Sequence, residues 1–340
     1  MAVAAIPEET VRQVQQQLRG LAQQLMASTG PQAPSDRAMA EAVTGFLDRI
    51  EGRGSQPAVN GIIALPLLVH GVRTGDPLPA VPAAMAHVLW WVSARYLDDL
   101  SDGGPVPDSG SDKYLLAVID LACHLSAEVL DAAGAGNPAQ ALRLRQELSR
   151  CWHSAIAGQL TDLTADPATA APDEVLASYR GKTGAPYAMS AAMGAVLAGC
   201  DAHSVTAWRE FGESFGVLRQ LVNDQRDLAS GRYEDLRNAT GTYMTVHYLR
   251  SLSPQERAMA ERLLAECAHS PAAREQFAAR LTEPTRLRDF ADTIRPLIED
   301  LHTSVDSLAG APLFTAGLHD LVEETVDLFP QFLLSPAPQP

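Results

Sequence analysis

The chain has 340 residues, with 26 basic against 41 acidic side chains and a net charge of −15. That balance argues against nucleic acid or an anionic membrane as the main partner, and an anionic substrate must then be held by metal ions or a local basic patch. Hydrophobic residues make up 46% at a mean hydropathy of −0.05, so a substantial core can be buried. No stretch approaches the length of a membrane span and no secretory leader is visible, so a soluble, cytoplasmic protein is expected. Cys123, Cys151, Cys200 and Cys267 lack metal-ligand spacing and read as thiols of a reducing compartment.

Helical periodicity runs through the chain and strand-like alternation is nearly absent. A polar amphipathic helix covers about 8–28 and stops at Gly30-Pro31; a second runs from the cap-like Ser35-Asp36 to about Ile50. Apolar helices at about 59–74 and 82–100 are joined by Thr74-Gly75-Asp76-Pro77. Helices at about 112–132 and 138–163 are separated by Gly134-Ala135-Gly136-Asn137-Pro138. Those at 173–180 and 185–199 are broken apart by Gly181 and Gly184, and one at 204–229 follows. Others fall near 241–251, 254–267, 284–308 and 315–332, and residues 334–340 read as a disordered tail. With no long linker and no short repeat, residues 1–333 read as a single all-α domain, in which residues 1–54 form N-terminal helices.

Two of these helices end in oxygen ligands. After Trp90-Trp91 the first closes on Asp98, Asp99 and Asp102, of which Asp98 and Asp102 share a face one turn apart. Carboxylates are badly placed at a helix C-terminus unless something positive sits there. Clustered hard oxygens suit Mg²⁺, which takes one or two carboxylates and substrate phosphate oxygens. The second helix carries Asn223, Asp224 and Asp227 within one turn. Facing one another, two such helices would form a mouth able to grip a diphosphate through several Mg²⁺ ions.

These features resemble the all-α isoprenoid synthase fold, and within it the trans-isoprenyl diphosphate synthases. Asp98-Asp99-Leu100-Ser101-Asp102 resembles their first aspartate-rich motif. Gly212, Gly216, Gln220, Asn223-Asp224 and Asp227 resemble the helix carrying the second, with Asn in place of its first Asp. Gly158-Gln159…Asp162, Lys182-Thr183 and Asp235-Leu236…Thr242 are similar to three further stretches, and the likeness covers about residues 55–250. The resemblance implies three Mg²⁺ ions on Asp98, Asp99, Asp102, Asn223, Asp224 and Asp227, an allylic prenyl diphosphate as substrate, and a homodimer. It also implies diphosphate contacts from Lys182, Thr183 and Gln220. Arg180 resembles the diphosphate-sensing Arg at a helix break in class I terpene synthases. Arg226 and Arg232 flank the second cluster and could close over the diphosphate, or only neutralise the acidic mouth.

The sequence also departs from the family. The region Ser55 to Pro66 lacks the Lys and Arg that hold isopentenyl diphosphate, no Arg pair follows Asp102, and Gly241 stands where a Lys is expected. Each lost charge-assisted contact is worth roughly 1.5–3 kcal/mol, which should abolish the second-substrate site. Trp91 replaces a polar residue seven positions before Asp98, and an aromatic face there can steady a carbocation. The competing reading makes Trp91 a core residue. Three functions follow in order: a Mg²⁺-dependent class I terpene synthase acting on a C15–C20 allylic diphosphate, a chain-elongating isoprenyl diphosphate synthase, and a non-catalytic subunit of such an enzyme. In the first two, Asp98, Asp99, Lys182 and, for cyclisation, Trp91 carry the chemistry.

Overall fold

A computed structural model describes residues 5–30, 33–51, 57–101 and 111–329. All regular structure among them is helical: α1 (Glu8–Met26), α2 (Ala33–Glu51), α3 (Pro57–Thr74), α4 (Val81–Ser101), α5 (Ser111–Asp120), α6 (Ser126–Ala133), α7 (Pro138–Thr164) and α8 (Pro172–Tyr179). Then come α9 (Ala185–Leu197), α10 (Ala202–Ser230), α11 (Glu234–Arg237), α12 (Tyr243–Ser251), α13 (Pro254–Cys267), α14 (Pro271–Leu281), α15 (Pro284–Ser307) and α16 (Pro312–Val326). The expected loops around 52–56 and 103–110 and the expected tail lie outside the described residues.

Most helices fall where the periodicity places them, and two findings differ. The periodicity places no helix between about 267 and 284, yet α14 forms there: Ser270 caps the Ala273 N–H, and Pro271 occupies a first-turn position that needs no N–H. Secondly, the expected break at Gly181 and Gly184 does not interrupt the helical path. Arg180–Gly184 forms a π-helical turn that carries α8 into α9, and a similar turn, Leu121–Leu125, joins α5 to α6.

The chain gathers into two compact units, each assembled from three stretches: Met1–Arg150, Pro186–Gly212 and Val305–Leu321 in the first, and Cys151–Ala185, Glu213–Ser304 and Val322–Pro340 in the second. In the first, α3 is apolar on all sides, and Leu65, Leu67, Leu68 and Val69 are sealed from solvent. Ala83, Ala84, Ala86 and Leu89 of α4 are equally buried, as are Ala191, Ala192 and Met193 of α9. Close backbone approach occurs where Gly194 of α9 meets α3: a Cβ there would lie 2.6 Å from Pro66 O.

Pro66 lies in the middle of α3. It has no N–H, so the carbonyl four residues earlier, that of Ile62, loses its helical donor. His87 of α4 supplies the replacement: its Nδ1 donates to Ile62 O at 2.8 Å. That fixes the tautomer, and Nε2 accepts the indole N–H of Trp91 at 2.9 Å. Burial drives the His87 pKa down to about 3, against a smaller upward pull from Ile62 O, so the ring is neutral.

Candidate functional site

In the second unit three helical segments meet at the π-helical turn. A Cβ on Gly158 of α7 would lie 2.3 Å from Lys182 N, and one on Gly216 of α10 would lie 2.6 Å from Thr183 O and from Gly184 Cα. Only glycine allows this approach. A π-turn disturbs the regular i→i−4 ladder and re-aims the residues it contains, a distortion often found at functional sites. Here it delivers Lys182 and Thr183 to the acidic end of α10.

Lys182 Nζ pairs with Asp162 of α7 at 3.0 Å, and both side chains are largely buried. Thr183 Oγ1 donates to Gln220 Oε1 at 2.5 Å, and Gln220 Nε2 donates to Asp224 Oδ1 at 2.8 Å. The other oxygen of Asp224 accepts the Tyr179 hydroxyl, whose own oxygen accepts the Tyr243 N–H at 2.9 Å. Asp224 is 4% exposed. Burial pushes its carboxyl up to about 7; the Tyr179 and Gln220 hydrogen bonds pull it back, Asp162 raises it and Lys182 lowers it.

Asp227 is buried as well, and burial likewise raises its carboxyl. Its Oδ2 accepts the Asp235 N–H at 3.3 Å. Oδ1 is buried with no hydrogen bond and stands 3.6 Å from Arg232 Nε. Asp235 is raised by burial and then by the charges of Asp224 and Asp227. Asn223 and Arg226 are exposed on α10, as is Arg180 at the start of the π-turn. Arg232 is half-exposed and also lies 3.6 Å from Glu234.

The structure therefore brings together Lys182, Thr183, Gln220, Asp224 and Asp227, with Arg232 at the edge. Asp98 and Asp99 fall in the last turn of α4, where side chains are outside the described residues, and Asp102 lies outside them altogether. Trp91 is partly buried two turns before Asp98, edge-on to Trp90 and to Tyr187 at ring separations of 5.5 and 5.9 Å. Sequence reading passed over Tyr179 and His87. The signals were present: a Tyr directly before Arg180-Gly181-Lys182-Thr183, and a His on an apolar helix with an unmatched proline in the preceding one.

Among the described residues no three His, Cys, Asp or Glu side chains converge as a ready-made cage for a metal. The donor set nevertheless fits a hard divalent cation. The charges of Asp224, Asp227 and Asp162 raise Asp235, that of Asp162 raises Asp224, and Asp227 keeps a buried oxygen with no hydrogen bond.

Residues 117–281 match the polyprenyl synthetase family. The chain is polyprenyl synthetase-like, with an all-α isoprenyl diphosphate synthase fold. Its structure is similar to that of a polyprenyl synthetase from Streptomyces coelicolor A3(2), at 23% identity and a TM-score of 0.79, covering 96% of this chain and 99% of that one. A decaprenyl diphosphate synthase from Rhodobacter capsulatus follows at 19% identity and 0.76, over 95% and 97%. A 117-residue stretch is 27% identical to the short chain isoprenyl diphosphate synthase of Methanocaldococcus jannaschii. It spans 32% of this polyprenyl synthetase-like chain and 36% of that relative's length. No described helix is long and apolar enough to cross a membrane.

Proposed function

We propose that this protein is a Mg²⁺-dependent enzyme that ionises an allylic prenyl diphosphate. The observation that carries the reading is the π-turn of the second unit, which sets Lys182 and Thr183 against Gln220, Asp224 and Asp162. Lys182 supplies a charge-assisted hydrogen bond to a diphosphate oxygen once Asp162 shares it. Gln220 and Thr183 orient that group, and Asn223, Asp224 and Asp227 are the hard donors that the second unit offers the cation. When bound, Mg²⁺ supplies Lewis-acid stabilisation of the departing diphosphate.

Two fates of the resulting carbocation remain in competition. The named relatives are prenyl diphosphate synthases, and they favour chain elongation. Cyclisation or quenching within one C15–C20 substrate is favoured by the missing cations between Ser55 and Pro66 and after Asp102, and by the partly buried indole of Trp91. A non-catalytic subunit has nothing in its favour, since it needs no Lys182–Asp162 pair beside a buried acidic cluster. The deciding assay supplies Mg²⁺ with geranyl, farnesyl or geranylgeranyl diphosphate, with and without isopentenyl diphosphate. A longer diphosphate establishes elongation; a hydrocarbon or alcohol whose yield ignores isopentenyl diphosphate establishes cyclase chemistry; no consumption of any substrate refutes both.

A further inference from the structure

Tyr179 takes no part in the reading above, yet it is built firmly into the same place. It is 2% exposed, and its hydroxyl both donates to Asp224 and accepts the Tyr243 N–H at 2.9 Å. A buried phenol is costly unless its oxygen is satisfied, and packing alone would be served by Phe. The opposite oxygen of Asp224 is held by Gln220, which is held in turn by Thr183. A continuous hydrogen-bonded run thus links Thr183 in the π-turn, the acidic end of α10 and the first residue of α12. Two donors on separate oxygens fix the plane of the carboxylate and leave its remaining lone pairs pointing in set directions.

We infer that Tyr179 is a positioning residue: it holds Asp224 in the orientation from which the second acidic cluster receives a divalent cation, and it ties that cluster to the turn bearing Lys182 and Thr183. The inference deepens the metal-binding part of the proposed function and rests on it. Partners that orient a metal site from behind typically change metal affinity or activity by about 10–100-fold when removed. Tyr179→Phe deletes the donor to Asp224 and keeps the ring.

The test is a Mg²⁺ titration of the full-length protein, read by the rise in melting temperature and, separately, by substrate turnover. Tyr179→Phe is expected to raise the half-saturating Mg²⁺ concentration about tenfold in both readouts, and to lower the melting temperature before Mg²⁺ is added, because the Tyr243 N–H loses its acceptor and Asp224 a donor. The same substitution in an Asp224→Asn background should add much less, because the two act as one unit. If the wild-type protein shows no response to Mg²⁺, the metal reading itself fails. If wild type responds and Tyr179→Phe responds at the same Mg²⁺ concentration, the tyrosine only fills space and the inference is overturned. Asp224→Asn alone covers the case in which Tyr179→Phe does not fold: an unchanged Mg²⁺ requirement there leaves nothing for Tyr179 to position.

Discussion

Lys182 is the residue on which the site's charge balance turns. It pairs with Asp162, and it offsets the repulsion felt by Asp224 and Asp235. Lys182→Ala is expected to lower kcat/KM by roughly 10- to 100-fold, the loss of about 1.5–3 kcal/mol from one charge-assisted hydrogen bond. Steady-state kinetics on an allylic diphosphate check this, and a value within twofold of wild type would remove Lys182 from the site. Trp91 poses a different question, because its N–H serves His87 while its ring lies edge-on to Tyr187. Trp91→Phe keeps an aromatic face and drops the hydrogen bond; Trp91→Leu drops both. A ring that steadies a cation makes the Leu variant shift its products toward early-quenched alcohols or linear alkenes, with cation–π attraction worth about 2 kcal/mol in a dry site. The Phe variant should keep the wild-type ratio. Identical product profiles in all three proteins, with lower melting temperatures for the variants, would make Trp91 a packing residue.

At the scale of elements, the π-turn depends on α7 lying close to it at Gly158. Gly158→Ala places a methyl against backbone that cannot step aside, and should cost about 1–3 kcal/mol of stability. It should also lower activity beyond what the stability loss explains, because Lys182 and Thr183 sit on the displaced turn. Denaturant melts and turnover measured well below the midpoint separate the two effects. Sequence alone could place the helices here, because buried faces repeat every 3.6 residues, and it could select Lys182 and Asp224 through their setting. It could not show that Gly181 and Gly184 lie within a continuous helical path rather than a break. Glycine is compatible with either, and the choice is made by how closely α7 and α10 pack. Nor could spacing separate Asn223 from Asp224: they are neighbours in the chain, yet one is exposed and the other enclosed by Tyr179 and Gln220. Burial and hydrogen bonding are decided by partners 40 or more residues away, as Tyr179 is from Asp224.

Two properties of the whole molecule can be tested. The first is acid stability. His87 is neutral in the folded protein, with a pKa of about 3, whereas an unfolded His takes up a proton near 6.5. The unfolded state therefore binds the extra proton first as pH falls, and stability present above pH 6.5 is lost progressively toward pH 3. At pH 5 the loss from this one group is about 2 kcal/mol. Asp224, with its raised carboxyl, acts in the opposite direction, so the measurement is a comparison: unfolding free energies at pH 7.5 and 5 for wild type and His87→Gln. The variant should show the smaller acid loss, and equal losses would contradict the buried neutral ring. The second property is association. Ile156, Leu160 and Leu163 fall at i, i+4 and i+7 of α7, and each is more than half exposed, at 51%, 57% and 54%. A homodimer, if the protein forms one, would bury this stripe. Leu160→Glu should then give a folded monomer by light scattering where wild type is a dimer; a monomeric wild type would refute the dimer.

The carbonyl freed by Pro66 has a consequence for how this chain can vary. Pro66 and His87 behave as lock and key across two helices: one removes a donor and the other returns it. Replacing His87 by Phe leaves Ile62 O and the Trp91 N–H both unserved, at about 1–3 kcal/mol for each buried group. Replacing Pro66 by Ala restores the helix's own donor, so His87→Phe should be tolerated better in that background. Drift at either position is thus conditional on the other, and a combinatorial library at 66 and 87 selected for folding should return joint changes more often than independent variation allows.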